Sequence, residues 1–341
     1  MGTKIVIAGG GPAGACAGIV AARAGVEVIL LEPQPFPRDR PGETLHPGVQ
    51  PLLRELGVFE QVEAAGFLRH SGVWVERQGR RTFEAYGEDE RGQWLGFQAW
   101  RAAFDTILLN KARECGVCVR QPDKAMELIE DAGGVRGVQA ASGAIESHYV
   151  LDASGSLRWA ARRMGLRATR HSPPLLAQYG YASGECVACD DAPVFAWHEN
   201  DHWVWTARVR DHLYQWTRLL TKSDGFDCQW RPEGFGGLSP VGTARAADVT
   251  WTCVAECAGP GYFLLGDAAA VLDPSSSHGV LRAMMSGMMA GHLIAETSGR
   301  TVAEAVIASY YREWIGSWFA HDVARLSDLR RGEFTGRAVS G

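Results

Sequence analysis

Two kinds of hydrophobic pattern alternate along the chain. Near each end a short apolar run (KIVIA from residue 4, YFLL from residue 262) meets glycine and is followed by a small-residue stretch with helical spacing, PAGACAGIVAARAG and VLRAMMSGMMAGHLI. Short apolar runs bounded by turn residues read as buried strands, and the longer stretches as helices. Between them, residues 70–98 and 176–255 alternate apolar with polar. The alternation is clearest in DHWVWTARVRDHLYQWTRLL, where Trp203, Trp205, Ala207 and Val209 share one face and Tyr214, Trp216 and Arg218 share a face of the next strand. That pattern predicts an antiparallel hairpin. GGVRGV at 133–138 predicts a further hairpin turn. The expected fold is α/β. A Rossmann-type nucleotide-binding domain (1–70, 99–175 and 256–300) is interleaved with an antiparallel substrate-binding sheet (71–98 and 176–255), and a helical segment (301–341) follows. In that segment Tyr310, Trp314 and Trp318 recur at i, i+4 and i+8. This is the mark of a helix face packed on the sheet or, where exposed, of a docking face for a protein substrate or second subunit.

Composition narrows this picture. A chain of 341 residues with 46% hydrophobic content builds a sizeable core. A net charge of -5 gives no basic field for nucleic acid. No apolar run approaches the roughly 18 residues of a membrane span, and residues 3–8 lack a signal-peptide pattern. Met1-Gly2 lacks the Ser or Thr that myristoylation wants at Val6. The expected location is the cytoplasm. Eight cysteines include two Cys-x-x-Cys pairs, but 67 residues separate Cys118 from Cys186, far beyond the roughly 15–20 of ribbon-like zinc sites. They read as buried thiols kept reduced, with no metal.

The first apolar run opens the chemistry. Gly9, Gly11 and Gly14 fit G-x-G-x-x-G between a strand and a helix, with Pro12 and Ala13 inside the turn. The first glycine allows the tight turn, the second admits a pyrophosphate against the backbone, and the third lets helix and strand touch. The helix start then presents its partial positive charge to the phosphates. Glu32 stands eighteen residues after Gly14, at the end of the second strand. A carboxylate there accepts ribose hydroxyls and repels a 2′-phosphate, so the nucleotide is FAD or NAD and not NADP. No second such motif follows, which implies one nucleotide.

Two more motifs complete the set: Asp152-Ala-Ser-Gly155 after an apolar strand end, and Gly266-Asp267 followed by Asp273-Pro274. Together with the glycine loop and Glu32 they resemble the FAD-dependent monooxygenases built like p-hydroxybenzoate hydroxylase, in the branch that holds tryptophan halogenases and geranylgeranyl reductases. The resemblance spans residues 9–281. It implies FAD as cofactor, with oxygen and an external reductant (NADH, NADPH or a reduced-flavin system). Asp267 would hold the ribitol, with Gly266 beside it, and the loop and helix from Pro274 through Gly279, Val280 and Leu281 would lie by the flavin ring. Amides at that helix start would face the flavin atoms where negative charge collects on reduction. As an alternative, Asp267 would cap the following turn. The same resemblance adds Arg40, Arg101 and Ala125 to the cofactor residues, and Asp152 and Gly155 from the second motif.

For the reaction, the candidates are His278, Glu43 and His46, the last two in RPGETLHPG before a helix. His46 reads equally as a solvated loop residue, and His278 has helix capping as its alternative. Trp203 and Trp205 are the candidate substrate residues, with sheet packing as their alternative. One departure from the branch matters: halogenases carry W-x-W-x-I-P and a lysine relaying hypohalous acid. Here Trp203-Val-Trp205 is followed by Thr-Ala-Arg, and the four lysines (Lys4, Lys111, Lys124, Lys222) avoid residues 70–98. The expected activity is therefore hydroxylation of an indole or phenol through a flavin C4a-hydroperoxide, on a small molecule or a peptide- or protein-borne side chain. RPGETLHPGVQPLL and DPSSSHGV add a looser likeness to flavoproteins that hydroxylate protein-bound tryptophan to make a quinone cofactor. The alternatives are reduction of an unsaturated, isoprenoid-like substrate, halogenation, and nucleotide binding without redox chemistry.

Overall fold

A computed structural model describes residues 2–186, 191–198, 202–221, 224–297 and 303–331. The chain enters one sheet with β1 (Lys4–Ala8) and β2 (Glu27–Leu31), with helix α1 (Pro12–Arg23) between them. It leaves for a hairpin, β3 (Gly72–Arg77) and β4 (Arg80–Ala85), and returns after helix α2 (Arg101–Glu114) with β5 (Cys118–Arg120) and β6 (Tyr149–Asp152). Five strands of a second sheet follow: β7 (Leu175–Ser183), β8 (Val194–Trp197), β9 (Trp203–Arg210), β10 (Leu213–Thr221) and β11 (Ser239–Asp248). The chain closes the first sheet with β12 (Ala258–Gly259) and β13 (Tyr262–Leu264), then runs into helices α3 (Gly279–Thr297) and α4 (Glu304–Arg331).

The first sheet has the order β5-β2-β1-β6-β13-β12 and is parallel except for β12. Its strands are apolar on both faces, as a sheet covered by helices requires. β1 lies between β2 and β6, so chain connections depart to opposite sides of it and open a crevice at the carboxyl ends of the strands. Glu32 follows directly on β2, Asp152 ends β6, and Gly266 stands two residues beyond β13.

Helices α1 and α3 close that crevice from behind through unusually small residues. A Cβ on Gly287 would stand 2.1 Å from the Ala13 carbonyl oxygen. A Cβ on Gly291 would stand 2.9 Å from Val20 Cβ and 3.0 Å from the Ala17 oxygen. The backbones touch because the side chains are missing, which explains the SGMMAG spacing in the sequence.

The second sheet has the order β11-β7-β10-β9-β8-β3-β4. It is antiparallel apart from one parallel pair, β8 with β3, which departs from the wholly antiparallel expectation. Along β9 burial alternates strictly, with Trp203, Trp205, Ala207 and Val209 inward. Trp216 pairs with Thr206 and Tyr214 with Arg208, and paired side chains share a face. The aromatic residues of β10 therefore pack on the opposite side, with Phe235 and Trp230.

Helix α4 corrects one expectation. Tyr311, Ile315 and Phe319 face the core, Trp314 and Trp318 lie on the rim, and Tyr310 is exposed. A shift of one residue turns a helix by about 100°, and both i, i+4 series fit the sequence equally well. Among the cysteines, Cys16, Cys253 and Cys257 are buried thiols as expected, but Cys118 and Cys228 are exposed and Cys186 is disulfide-bonded. Lys222 and Cys189 lie outside the described residues. No described helix is long and apolar enough to cross a membrane.

Gly287→Ala should lower stability, by up to about 2 kcal/mol. Overpacking costs of about 1–3 kcal/mol outweigh the roughly 1 kcal/mol that alanine gains in a helix, because the neighbour is backbone and cannot rotate aside. The urea midpoint of the FAD-loaded protein checks this; an unchanged or higher midpoint would mean that the helices are not held at this distance.

Candidate active site

The glycine loop forms where the sequence places it. Gly9 has φ +117°, and a Cβ on it would stand 2.4 Å from the Ala153 carbonyl oxygen. A Cβ on Gly14 would lie 2.0 Å from the oxygen of Gly9. A Cβ on Gly11, in contrast, would meet only a guanidinium nitrogen of Arg38, at 3.3 Å, so this glycine borders space that a ligand can take. Helix α1 begins with Pro12 and has no side-chain cap, which leaves the amides of Ala13 and Gly14 for an anion. Glu32 is buried, and its carboxylate accepts from the amides of Gly10 (2.8 Å) and Gln34 (2.9 Å). Ala125 begins the strand Ala125–Asp131, just beyond Asp123, whose amide donates to the Glu32 carbonyl at 2.9 Å.

Arg38 was not among the expected residues. It sits between Glu32 (3.9 Å) and Asp105 (3.8 Å), and its buried Nε has no partner. Arg40 is exposed, and among the described residues its one hydrogen bond is a 3.5 Å contact to Gln34. In the irregular run FPRDRPG no periodicity tells which arginine turns inward. Arg101 does face the site, held by Asp105 at 2.8 and 3.0 Å and by the Pro41 carbonyl at 2.9 Å.

On the flavin side, Asp152 is wholly buried and its carboxylate accepts from the amides of Ser154 (2.9 Å) and Ala160 (2.8 Å). It shapes the turn through Gly155, which has φ +66°, and so sets the Ala153 carbonyl against Gly9. Asp267 follows Gly266 in a short 3-10 turn after β13. Its carboxylate makes no hydrogen bond among the described residues, which removes the capping alternative. It is exposed to solvent yet surrounded by protein, as at the floor of a cleft. That enclosure raises its pKa, against the opposing pull of Arg158, Arg101 and Arg282. The Gly266 amide is pinned by Ser286 Oγ at 2.8 Å, a helix-interior serine with no signal in the sequence.

Beyond it, buried Asp273 organises the loop that ends at His278. It accepts from the Ser275 amide (3.1 Å), Trp251 Nε1 (2.7 Å) and Arg330 (2.9 Å). Pro274 and Gly279 are exposed, and a Cβ on Gly279 would meet nothing within 4 Å. Val280 is buried at the helix start, and Leu281 packs toward Gly48.

His46 and His278, 232 positions apart, come together. Their rings stand 4.6 Å apart, edge to face at 84°, with Tyr86 5.2 Å from His46. Both line a cavity of about 230 Å³, walled by Trp205, Phe195, Trp197 and Leu326. His46 is pushed down to about 4 by burial, Arg325 and His70. His278 falls well below the ordinary range through burial, Arg282, His46 and Arg325. Both rings are therefore neutral at pH 7.

Glu43 does not join them. It is buried, raised by burial against the bond from Tyr181, and its oxygens accept from Tyr181 Oη and the Gly42 amide. Trp203 is likewise corrected: it is wholly buried in the sheet core, while Trp205 lines the cavity and donates to Thr44 Oγ1 at 3.2 Å. A larger hollow of about 450 Å³ lies at the amino ends of the parallel strands, around Lys4, Glu27 and Cys118. Parallel sheets bind ligands at the opposite end, so the smaller cavity is the candidate.

Residues 2–315 match the FAD binding domain family. The chain belongs to that family, with FAD as its cofactor. The fold and motifs are those of the p-hydroxybenzoate hydroxylase-like flavoproteins, in the tryptophan halogenase branch. A tryptophan 2-halogenase of Chondromyces crocatus is 29% identical, over 91% of this chain and 64% of its own length. A 1H-pyrrole-2-carbonyl peptidyl-carrier-protein brominase of Pseudoalteromonas luteoviolacea is 27% identical, over 94% of this chain and 84% of its own. The crystal structure of CmlS, a flavin-dependent halogenase, superposes with a TM-score of 0.84 at 24% identity, over 94% of this chain and 63% of that one. The chain thus spans under two thirds of the tryptophan 2-halogenase and of CmlS. These relatives favour the halogenase alternative over hydroxylation.

The residues present fit FAD: a glycine cradle that a Cβ would fill, the unpartnered buried Nε of Arg38 beside it, and the unbonded carboxylate of Asp267. Glu32→Ala should weaken FAD binding roughly ten- to a hundredfold, since hydrogen bonds to a charged group contribute about 1.5–3 kcal/mol. Titration by flavin fluorescence checks it, and undiminished affinity would move the adenosine elsewhere. Asp267→Ala should keep the parental far-UV circular dichroism while the yellow colour retained on gel filtration drops; full retention would remove Asp267 from the cofactor site.

Proposed function

We propose that the chain modifies an electron-rich aromatic ring, an indole, phenol or pyrrole, and that oxygen is the atom it transfers. Reduced FAD supplies the activation of oxygen, with electrons from an external nicotinamide or reduced-flavin system. The chain's own residues do the rest. Trp205, Phe195 and Trp197 offer aromatic walls that stack a ring and exclude water. His46 and His278 put two neutral imidazoles beside it, both placed for hydrogen bonding and His278 also for proton transfer. Arg282 is neutralised by Asp322 at 2.6 Å.

The oxygen reading rests on the lining of this cavity, which holds no lysine among the described residues. Lys4 and Lys111 are paired with Glu27 and Glu114, and Lys124 is on the surface. Halogen transfer needs a nucleophile to carry hypohalous acid from the flavin to the ring, and the imidazoles and arginines here are poor substitutes for an amine. The second reading, halogen transfer, is favoured by the relatives, several of which are named halogenases. The brominase named for a carrier-bound pyrrole also supports a substrate that is either free or carried on a protein.

Supplied with reduced FAD, oxygen-18 gas, bromide and a panel of indoles, phenols and pyrroles, the enzyme should give a product heavier by one labelled oxygen in mass spectrometry. A brominated product replaces this reading with halogen transfer. A hydrogenated product formed without oxygen uptake sinks both.

A further inference from the structure

Two imidazoles face the cavity, and the backbone treats them differently. The Gly48 amide donates to His46 Nδ1 at 3.1 Å. A ring nitrogen that accepts a hydrogen bond carries no proton, so neutral His46 must hold its proton on Nε2. The donor amide belongs to the N-cap residue of the helix Val49–Glu55, so the helix start sets its direction. A Cβ on Gly48 would sit 3.1 Å from Leu281 and 3.2 Å from that same Nδ1, so a side chain there would have to push Leu281 or the imidazole aside. With its Nδ1 edge committed to its own backbone, the edge left for a ligand is Nε2–H. The ring of His278 has no hydrogen-bond partner among the described residues, His46 included.

The surroundings keep His46 from becoming a cation. Arg325 from α4, His70 and Tyr86 from the hairpin side, and His278 ahead of α3 face it, and none is an anion. Of the two carboxylates on the same cavity, Asp322 is paired with Arg282, and Glu84 is itself raised by burial.

We propose that His46 is a fixed, neutral Nε2–H hydrogen-bond donor, its tautomer locked by the Gly48 amide, which stabilises negative charge arising in the cavity during turnover, and that it never acts as a base. No proton reaches or leaves His46 in the cycle, and proton acceptance falls to His278. The assignment of negative charge rests on the aromatic-ring reading above; the tautomer does not.

The FAD-loaded chain with nitrogen-15 histidine tests this by two-bond proton–nitrogen correlation between pH 5.5 and 8.5, with the His46 signals identified by their loss in His46→Gln. One bare Nδ1 and one protonated Nε2, unchanged across that range, are expected. A protonated Nδ1, or a titration midpoint inside the range, overturns the lock. In turnover, His46→Gln puts an amide N–H near the Nε2 place and should stay within about tenfold of the parent, while His46→Asn reaches only the Nδ1 place and should lose on the order of a hundredfold, as when one preorganised donor is removed. Equal losses in the two variants overturn the donor role. If His46→Asn does not fold, the nitrogen spectra of the parent still decide the tautomer. A parent that turns over no aromatic substrate defeats the aromatic reading and leaves the spectra to judge the lock.

Discussion

Everything at this site depends on how closely α1 and α3 approach. The glycine loop and the flavin-side turn lie more than 250 positions apart, and nothing local brings them together. Gly287 and Gly291 lay the α3 backbone against Ala13, Ala17 and Val20. With the helices held there, Gly266 comes to rest beside Ala283 and Ala13, and Ser286 can reach the Gly266 amide. Asp267 then faces the crevice that β1 opens. A larger residue at the crossing would separate the two halves of one cofactor site, because interiors at crystal-like density yield little.

What the sequence made legible is what local geometry dictates. Gly9 and Gly14 were readable because a positive φ and a helix–strand contact admit no side chain, and Trp205 because period-two alternation fixes the face of a strand. Arg38 and Arg40 were not separable, since an irregular loop has no period. Trp203 and Trp205 share a face, yet only the second reaches the cavity; depth along a strand is set by what covers it, here α4 and the loop to His278. Ser286 and the Tyr181–Glu43 bond stayed hidden because each joins residues whose proximity exists only in the folded chain.

Charge in the interior is arranged so that few groups stand alone. Arg101 is matched by Asp105, Arg282 by Asp322, and Arg330 by Asp273, each in partly or fully buried surroundings where an unmatched charge is expensive. Against that background two groups without partners stand out, the Nε of Arg38 and the carboxylate of Asp267. Other buried side-chain nitrogens also lack partners, Trp203 Nε1 and Trp216 Nε1 among them, but these two groups stand at the two ends of one crevice, where the phosphates and the ribitol of FAD would supply acceptors and hydroxyl donors.

On the proposed reading the loop from Asp273 to Gly279 would serve both the cofactor and the substrate, and this would couple the two. Its backbone leads into the α3 amides on the flavin side, while His278 projects into the cavity beside His46. Asp273 ties the same loop to Arg330 near the end of α4, and Arg282, one turn into α3, ties to Asp322 on α4. Helix α4 also supplies Arg325, Leu326 and Leu329 to the cavity wall. A substrate pressing on that wall therefore acts on a helix bolted at two points to the segment that borders the flavin. On the proposed reading, whichever atom is transferred, a change at the far end of α4 would have a short path to the cavity through Arg330, Asp273 and His278.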